Sequence, residues 1–232
     1  QYAVCPKSST CKLPSNISLE EGATLGLAAS TAGLGLFADF KIARPTSNPS
    51  KTDDILLVWG GSSAVGGFAV QFASLAGLTV FAVTSSKHFD LVKSYGATQV
   101  FDYHDKDVVS KIKEAARGKI KWVVNAISEG ESVHSSAEVL ENKGMLLTTL
   151  SPPKDLKLNN IHLITVFVGN IFQRQHDEFR SWFFSWLNEN LANGKVRPMI
   201  PEVVATGLEN AQLVIDHHAK GVSGKKPVLK VA

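Results

Sequence analysis

Short apolar runs alternate with helix-patterned segments between residues 55 and 168, and this alternation constrains the fold more than any other feature of the sequence. Continuous apolar strands joined by helices of about 10–15 residues are typical of a parallel sheet covered on both faces. We therefore predict an α/β domain with a doubly wound parallel sheet. The predicted strands are ILLVW (55–59), TVFAV (79–83), QVFDY (99–103), KWVVNAI (121–127), MLLTTL (145–150) and HLITVFVG (162–169). The predicted helices between them cover 65–76, 87–95, 106–117 and 131–141.

The two ends of the chain do not follow this alternation. A loop rich in Pro, Ser and Asn, RPTSNPSKTDD (44–54), precedes the first predicted strand. After the last one, the sequence predicts an amphipathic helix over 176–193, a helix near 207–219 and a closing strand, KPVLKVA (226–232). Four aromatic residues recur at helical spacing in the first of these helices, which favours a packed helix face over a ligand site. They are Phe179, Trp182, Phe183 and Trp186.

The composition indicates a globular protein and argues against two classes of partner. The chain is 44% hydrophobic and 19% charged, and its formal net charge of +3 is too small and too dispersed to predict nucleic-acid binding. No apolar stretch approaches the roughly 18 residues that would cross a membrane. Cys5 and Cys11 are the only cysteines, and the first ten residues lack the features of a secretory signal. We expect reduced thiols and a cytoplasmic location.

Four glycines follow the first predicted strand in LVWGGSSAVGG (57–67). A glycine-rich turn between a strand and a helix lets the backbone approach a pyrophosphate, whose oxygens accept N–H groups at the helix start. We expect Gly60 and Gly61 to form this turn. Gly66 or Gly67 would then allow close packing of helix and strand. The spacing G-x-G-x-x-G is absent, so a plain tight turn is the alternative.

The end of the second predicted strand bears on the choice of nucleotide. Sites for NAD place an acidic residue about 20 residues after the glycine loop, where it binds the ribose 2′-hydroxyl. Here that region holds Ser85, Ser86 and Lys87. Two hydroxyls and a cation suit a 2′-phosphate, which favours NADP(H). The alternative is that Ser86 caps the helix predicted over 87–95, and both roles can coexist.

With these features, the chain resembles the medium-chain dehydrogenase/reductase superfamily, and within it the zinc-independent fungal enoyl reductases, which include the trans-acting reductases of polyketide synthases. The resemblance rests on stretches found in the family's order. They are LPSNISLEEGATLGLAASTAGLGLF, VWGGSSAVGGFAVQFASLAG, SSKHFDLVKSYGATQVFDYHDKD, VVNAIS and GLENAQLVIDHHAKGVSGKKPVLKV. The resemblance implies a Rossmann fold and NADPH as the cofactor.

The resemblance also implies which residues contact the cofactor. The pyrophosphate loop comprises Gly60, Gly61, Ser62, Ser63, Ala64 and Val65, with Ser63 and Ala64 standing where many relatives carry glycine. The 2′-phosphate positions are Ser85, Ser86, Lys87 and Tyr103. Asn125, Ala126 and Ile127 would lie beside the ribose and the nicotinamide. The nicotinamide pocket would add Ser30, Thr31, Phe167, Val168 and Gly169.

Members of the family begin with a GroES-like substrate domain of about 100 residues or more. The chain resembles only the end of that domain, so its ends would be remnants of it around a complete cofactor domain. We therefore predict the end of the substrate domain over 1–30, the NADP-binding Rossmann domain over 31–195, and a return to the substrate domain over 196–232. A fragment and a natural truncation are both open.

The resemblance implies an NADPH-dependent reductase of activated C=C bonds, acting on a small-molecule or acyl-carrier-bound enone, enoyl thioester or quinone without a metal. The alternative is a non-catalytic NADPH-binding module. No proton donor can be named, because His104, His134, His162 and His176 stand isolated in the sequence. Relatives are often dimers through the edge of the cofactor-domain sheet, while others are monomers, so a homodimer and a monomer are both open.

Overall fold

The computed structural model describes residues 10–49, 52–141 and 143–231. The chain divides into two compact units, one formed by Thr31–Phe167 and the other by Gln1–Ser30 together with Val168–Ala232. The strand-like stretch QYAV (1–4) and Cys5 lie outside the described residues.

Eight strands and eight α-helices make up the regular structure of the described part. The strands are β1 (Ile55–Trp59), β2 (Thr79–Thr84), β3 (Gln99–Asp102), β4 (Ile120–Asn125), β5 (Gly144–Thr148), β6 (Ile161–Thr165), β7 (Pro201–Thr206) and β8 (Lys226–Lys230). The α-helices are α1 (Leu19–Gly22), α2 (Gly26–Gly33), α3 (Ala64–Leu75), α4 (Phe89–Ser94), α5 (Val108–Ala116), α6 (Ser132–Val139), α7 (Asp177–Ala192) and α8 (Ala211–Ala219). A π-helix covers Leu34–Asp39, and 3₁₀ turns cover Ser86–His88, Val168–Phe172, Arg174–His176 and Leu208–Asn210.

The unit Thr31–Phe167 is built on a six-stranded sheet with the order β3-β2-β1-β4-β5-β6. Every neighbouring pair of strands in it is parallel. This order and direction define the doubly wound Rossmann sheet, in which the strand order reverses between β1 and β4. The predicted fold class is confirmed, and ligands of such sheets bind beyond the carboxyl ends of the strands at this reversal.

Alternate residues of the strands supply the two faces of the core. Leu57 of β1 belongs to one buried cluster that also includes Ile112 of α5 and Val133 of α6. Leu56, its neighbour in β1, is fully buried as well and points to the opposite sheet face, because successive strand residues alternate in direction. Phe68 of α3 is completely buried, and α3 contacts β1, β2 and β4. Helices therefore cover both faces, which explains the continuous apolar runs.

The predicted elements of this unit are all present, and their ends differ in places. The last predicted strand, 162–169, ends four residues early as β6 because the chain turns into the 3₁₀ segment Val168–Phe172. The helix predicted over 87–95 is divided into the 3₁₀ turn Ser86–His88 and α4.

The second unit contains α1, α7 and α8 with a two-stranded parallel sheet, β7-β8. The aromatic face of α7 is packed as predicted, since Phe179 and Phe183 are buried and their rings stack with centroids 5.5 Å apart. Residues 168–195, which the sequence assigned to the Rossmann domain, fall in this unit. The assignment of the terminal segments to a substrate domain stays a prediction. None of the helices in the described part combines the length and apolarity needed to cross a membrane.

Candidate functional site

The glycine loop after β1 is held against the end of β2. The N–H groups of Gly60 and Gly61 donate to the carbonyl oxygen of Val83 at 2.9 and 3.0 Å. Gly60 has a φ of +86°, a conformation that L side chains rarely adopt. A Cβ atom at Gly60 would also lie 2.7 Å from the side chain of Ile127. The two glycines form the tight turn that the sequence predicts.

The start of α3 leaves backbone donors available for an anion. Ser63 caps the helix, since its hydroxyl accepts the N–H of Gly66 at 3.1 Å. A Cβ at Gly66 would lie 2.1 Å from the carbonyl oxygen of Gly60, so this glycine allows the close packing of helix and loop that was predicted. The N–H groups of Ala64 and Val65 begin the helix and have no intrahelical partner. Two free donors at a positive helix end are suited to phosphate oxygens.

Ser62 and Ser63 do not contribute equally as donors. The hydroxyl of Ser62 accepts a 2.7 Å hydrogen bond from the hydroxyl of Thr84. The N–H of Ser63 donates to the carbonyl oxygen of Gly60, and its hydroxyl accepts the N–H of Gly66 as the cap of α3. Because an accepting hydroxyl keeps its own proton, the O–H of each serine can still donate, whereas the N–H of Ser63 is already used.

The predicted 2′-phosphate turn leaves the end of β2 as a 3₁₀ turn. Ser86 provides no side-chain cap to the following helix, because α4 begins at Phe89 with His88 at its N-cap position and no side-chain hydrogen bond. The capping alternative for Ser86 is therefore wrong. Its backbone N–H instead donates to the Oδ2 atom of Asp102 at 3.1 Å. Lys87 is exposed, so its ammonium group is accessible at the surface of this turn.

Asp102 is a residue of this site that sequence reasoning missed. It is the last residue of β3 and lies opposite Thr84 in the parallel pair β2-β3. Hydrogen bonds from the His104 backbone, from the His104 ring and from Ser86 lower the pKa of Asp102 from 3.8 to about 2. The available signal was its place at the carboxyl end of a predicted strand, but the sequence could not show that its partner is Ser86.

Tyr103 and His104 form an exposed aromatic pair beside this carboxylate. Their ring centroids are 4.0 Å apart, and the side chain of Tyr103 is exposed. His104 stands isolated in the sequence, but in the structure its Nδ1 atom lies 2.7 Å from Oδ1 of Asp102. Tyr103 follows the last residue of β3, one residue beyond the end of the strand in the structure, and its ring lies against that of His104.

Asn125, at the end of β4, is fully buried and uses its whole side-chain amide within the chain. Its Nδ2 atom donates to the hydroxyls of Ser132 and Ser136, while its Oδ1 atom accepts the N–H groups of Ile127 and Ser128. Two donor and two acceptor bonds complete the capacity of the amide. The side chain therefore shapes the segment that follows β4 and has no further hydrogen bond to offer a ligand.

Three hydrogen bonds connect the segments at the carboxyl ends of neighbouring strands. The hydroxyls of Ser62 and Thr84 link the glycine loop to β2, and the N–H of Ser86 links the next turn to β3. The N–H of Ala126 donates to the carbonyl oxygen of Trp59 at 2.9 Å, which links the end of β4 to the end of β1. The structure thus brings together the predicted pyrophosphate, 2′-phosphate and ribose residues along one edge of the sheet.

The remaining predicted residues are divided between the two units. Thr31 and Phe167 are the end residues of the Rossmann unit, and Ser30, Val168 and Gly169 belong to the other unit. Ser30 and Thr31 are buried within α2, whereas Phe167 is 68% exposed. Their common role around the nicotinamide stays a prediction.

Comparison with known proteins adds family information to this geometry. The family model described as "Zinc-binding dehydrogenase" matches residues 64–189, which is more than half of the chain. A zinc site does not fit the described residues, since they contain no group of three or more His, Cys, Asp or Glu side chains placed to hold a metal ion.

Two curated relatives and one solved structure agree with this family. Trans-enoyl reductase fsa3 from a Fusarium species is 30% identical over 98% of this chain and 70% of its own length. Dehydrogenase azaJ from Aspergillus niger is 33% identical over 99% of this chain and 68% of its own. The quinone oxidoreductase of Escherichia coli, solved in complex with NADPH, has a TM-score of 0.76 at 20% identity, over 95% of this chain and 68% of that one.

The chain thus spans about 70% of the length of the curated relatives it matches. The solved structure, at 20% identity, supports only the fold. The family model and the two relatives of 30% and 33% identity support common ancestry. On these matches, the chain belongs to the medium-chain dehydrogenase/reductase family of oxidoreductases, where its relatives include enoyl reductases.

Proposed function

We propose that this protein binds NADPH along the carboxyl edge of its sheet and uses it to reduce activated C=C bonds. The observation that carries the proposal is the pairing of two features at that edge. A glycine loop opens a helix with free N–H groups, and the neighbouring turn presents Lys87 in place of the acidic residue of an NAD site. Both features belong to the same compact unit.

The pyrophosphate would lie over the start of α3. Gly60 and Gly61 lack side chains that would block its approach, and the N–H groups of Ala64 and Val65 would donate to its oxygens. The positive end of the helix dipole favours the same negative charge. Ser62 would add its backbone N–H and its O–H, because a hydroxyl that accepts from Thr84 keeps its own proton to donate.

The 2′-phosphate of the adenosine would lie by the turn after β2. Lys87 would supply a positive charge and Ser85 a hydroxyl group, whereas the side chain of Ser86 hydrogen-bonds to Asp102 and would help to hold the turn. Burial, with the charge of Lys87 adding to it, lowers the pKa of His88. At neutral pH His88 is therefore mainly neutral, and Lys87 is the principal cation of this turn. The exposed ring of Tyr103 offers a surface against the adenine.

The nicotinamide end would be bound by the segment after β4. Asn125 would act indirectly, because its buried amide oxygen accepts the N–H groups of Ile127 and Ser128 and so fixes the backbone that follows Ala126. Thr31 and Phe167, the end residues of the same unit, are proposed to add to this part of the site. When bound, NADPH supplies the hydride that reduces the substrate. The chain's part is to orient the cofactor and to exclude water.

The substrate class rests on the relatives. Their printed names include trans-enoyl reductases and a quinone oxidoreductase. We therefore propose an enoyl thioester, an enone or a quinone, presented as a small molecule or on an acyl carrier. Each has a carbon–carbon double bond conjugated to a carbonyl, so that hydride addition to the β-carbon gives an enolate.

The test is a turnover assay with the whole protein, in which NADPH consumption is followed with an enoyl thioester, an enone and a quinone. Reduction of one of these substrates, with formation of the saturated product or the hydroquinone, supports the proposal. NADPH binding without turnover of any of them would favour the non-catalytic NADPH-binding module instead. Failure to bind NADPH contradicts both functions.

A further inference from the structure

The carboxylate of Asp102 connects the two segments that flank the proposed 2′-phosphate site. Its Oδ2 atom accepts the N–H of Ser86 at 3.1 Å. Its Oδ1 atom accepts the N–H of His104 at 2.9 Å and lies 2.7 Å from Nδ1 of the same histidine. One side chain therefore holds the turn after β2 and the loop after β3 together.

This connection fixes the relative positions of Lys87 and Tyr103. The two residues leave neighbouring strands side by side, because Thr84 and Asp102 are register partners in the β2-β3 pair. The backbone contributes a long hydrogen bond between the segments, from the N–H of Tyr103 to the carbonyl oxygen of Thr84 at 3.4 Å. The bond from Ser86 to Asp102 is shorter and charge-assisted, so it is the stronger of the two.

The hydrogen bonds of Asp102 hold the turn that carries Lys87, but its negative charge would weaken phosphate binding. An ionised carboxylate near a bound phosphate repels it, and the hydrogen bonds around Asp102 keep it ionised at neutral pH. His104 limits this repulsion by donating to Oδ1, and its ring is held against Tyr103. Both oxygens of the carboxylate are thus bonded to donors of the chain itself.

We propose that Asp102 is a positioning residue for the adenosine end of the cofactor, which holds the turn carrying Lys87 in place without contacting NADPH itself. This inference rests on the proposed function. It predicts that the preference for NADPH over NADH depends on Asp102, because only NADPH carries the phosphate that Lys87 would bind. A residue that merely stabilised the fold would affect both cofactors alike.

The experiment measures the dissociation constants of NADPH and NADH for the wild type, for Asp102→Ala and for Asp105→Ala. Asp105 is the matched control, since it is also a hydrogen-bonded carboxylate of the same loop but pairs with Lys111 and the N–H of Asp107. We expect Asp102→Ala to raise the dissociation constant of NADPH about tenfold, the effect of a charged hydrogen bond, and to leave that of NADH nearly unchanged. Asp105→Ala should leave NADPH binding undiminished.

Several results would overturn the proposal. If both alanine variants tighten NADPH equally, Asp102 acts through its charge alone. If Asp102→Ala weakens both cofactors equally, its role is structural. Should Asp102→Ala fail to fold, Asp102→Asn keeps the shape and one acceptor oxygen, and an unchanged NADPH-to-NADH ratio in that variant counts equally against the proposal.

The wild type separates this inference from the function on which it depends. A wild type that prefers NADPH, with no change of ratio in the Asp102 variants, overturns only the role of Asp102. A wild type that binds neither cofactor overturns the proposed function and this inference with it.

Discussion

The hydroxyl of Thr84 donates a 2.7 Å hydrogen bond to the hydroxyl of Ser62, across the carboxyl ends of β1 and β2. Thr84 is the last residue of β2, and its side chain is buried. The bond therefore fixes the glycine loop relative to the turn that begins at Ser85. These are the two segments to which we assign the pyrophosphate and the 2′-phosphate, so the distance between the two proposed phosphate sites is set within the chain.

Replacing Lys87 tests the assignment of the 2′-phosphate. We predict that Lys87→Ala weakens NADPH binding about tenfold or more while leaving NADH binding nearly unchanged, because a charged hydrogen bond to the phosphate is lost. Calorimetric titration with each cofactor measures this. Lys93→Ala is the control, since Lys93 is an exposed lysine of α4 with the same charge. An equal loss of NADPH and NADH affinity in Lys87→Ala would contradict the assignment.

Replacing Gly66 tests the close packing of α3 on the glycine loop. A Cβ atom there would meet the backbone carbonyl oxygen of Gly60 at 2.1 Å, so helix or loop must move. We predict that Gly66→Ala lowers the free energy of unfolding by roughly 1–3 kcal/mol, as for other overpacked sites, and weakens both cofactors together. Urea unfolding and cofactor titration measure the two effects.

Gly26→Ala is the control for that variant. A Cβ atom at Gly26 would meet nothing within 4 Å, and Gly26 lies in the helix α2. We expect this control to be neutral or to stabilise the protein by roughly 0.5–1 kcal/mol, because alanine is the better helix former. If the two variants behave alike, the loop does not depend on the close approach at Gly66.

Asn125 is predicted to matter chiefly for stability and for the shape of the segment that follows β4. Asn125→Ala leaves buried hydroxyl and N–H partners unsatisfied, so we expect a loss of roughly 2–4 kcal/mol in the free energy of unfolding. Asn210→Ala is the comparison, because the Asn210 side chain makes one exposed hydrogen bond, to Thr206. Denaturant unfolding measures both variants, and equal losses would show that the buried network contributes little.

The low pKa of Asp102 predicts a pH-dependent contribution to stability. Its folded-state pKa of about 2 lies below the usual 3.8, so the contribution is complete above the higher value and is lost as the pH falls through the lower one. The difference in unfolding midpoint between wild type and Asp102→Asn should therefore be constant near neutral pH and shrink between about pH 4 and pH 2. A difference that stays constant over that range would contradict the hydrogen bonding described for Asp102.

The sequence predicted the sheet well because its signals are local. The strand at Ile55–Trp59 is a continuous apolar run, and its burial on both faces is a property of that run itself. The glycine turn could also be predicted from the sequence. Gly60 is required by its positive φ, and Gly66 by its close approach to the carbonyl oxygen of Gly60. The family resemblance then predicted which residues contact the cofactor, and the predicted pyrophosphate, 2′-phosphate and ribose residues lie along one edge of the sheet.

The rest of the site depends on pairs that are distant in sequence. The bond between Ser86 and Asp102 spans 16 residues, and no pattern around Ser86 distinguishes an N–H held by a carboxylate from a helix cap. A related limit applies to Asn125, which the resemblance predicted to contact the cofactor. Its burial and its bonds to Ser132 and Ser136 exist only after α6 has packed against β4.

The most direct test of these cofactor assignments is a calorimetric titration of the wild-type protein with NADPH and, separately, with NADH. The glycine loop and the turn carrying Lys87 predict tight binding of NADPH and much weaker binding of NADH. Equal affinity for the two cofactors would contradict the assignment of the 2′-phosphate site. Binding of neither cofactor would contradict the assignment of this edge of the sheet as a nicotinamide-nucleotide site.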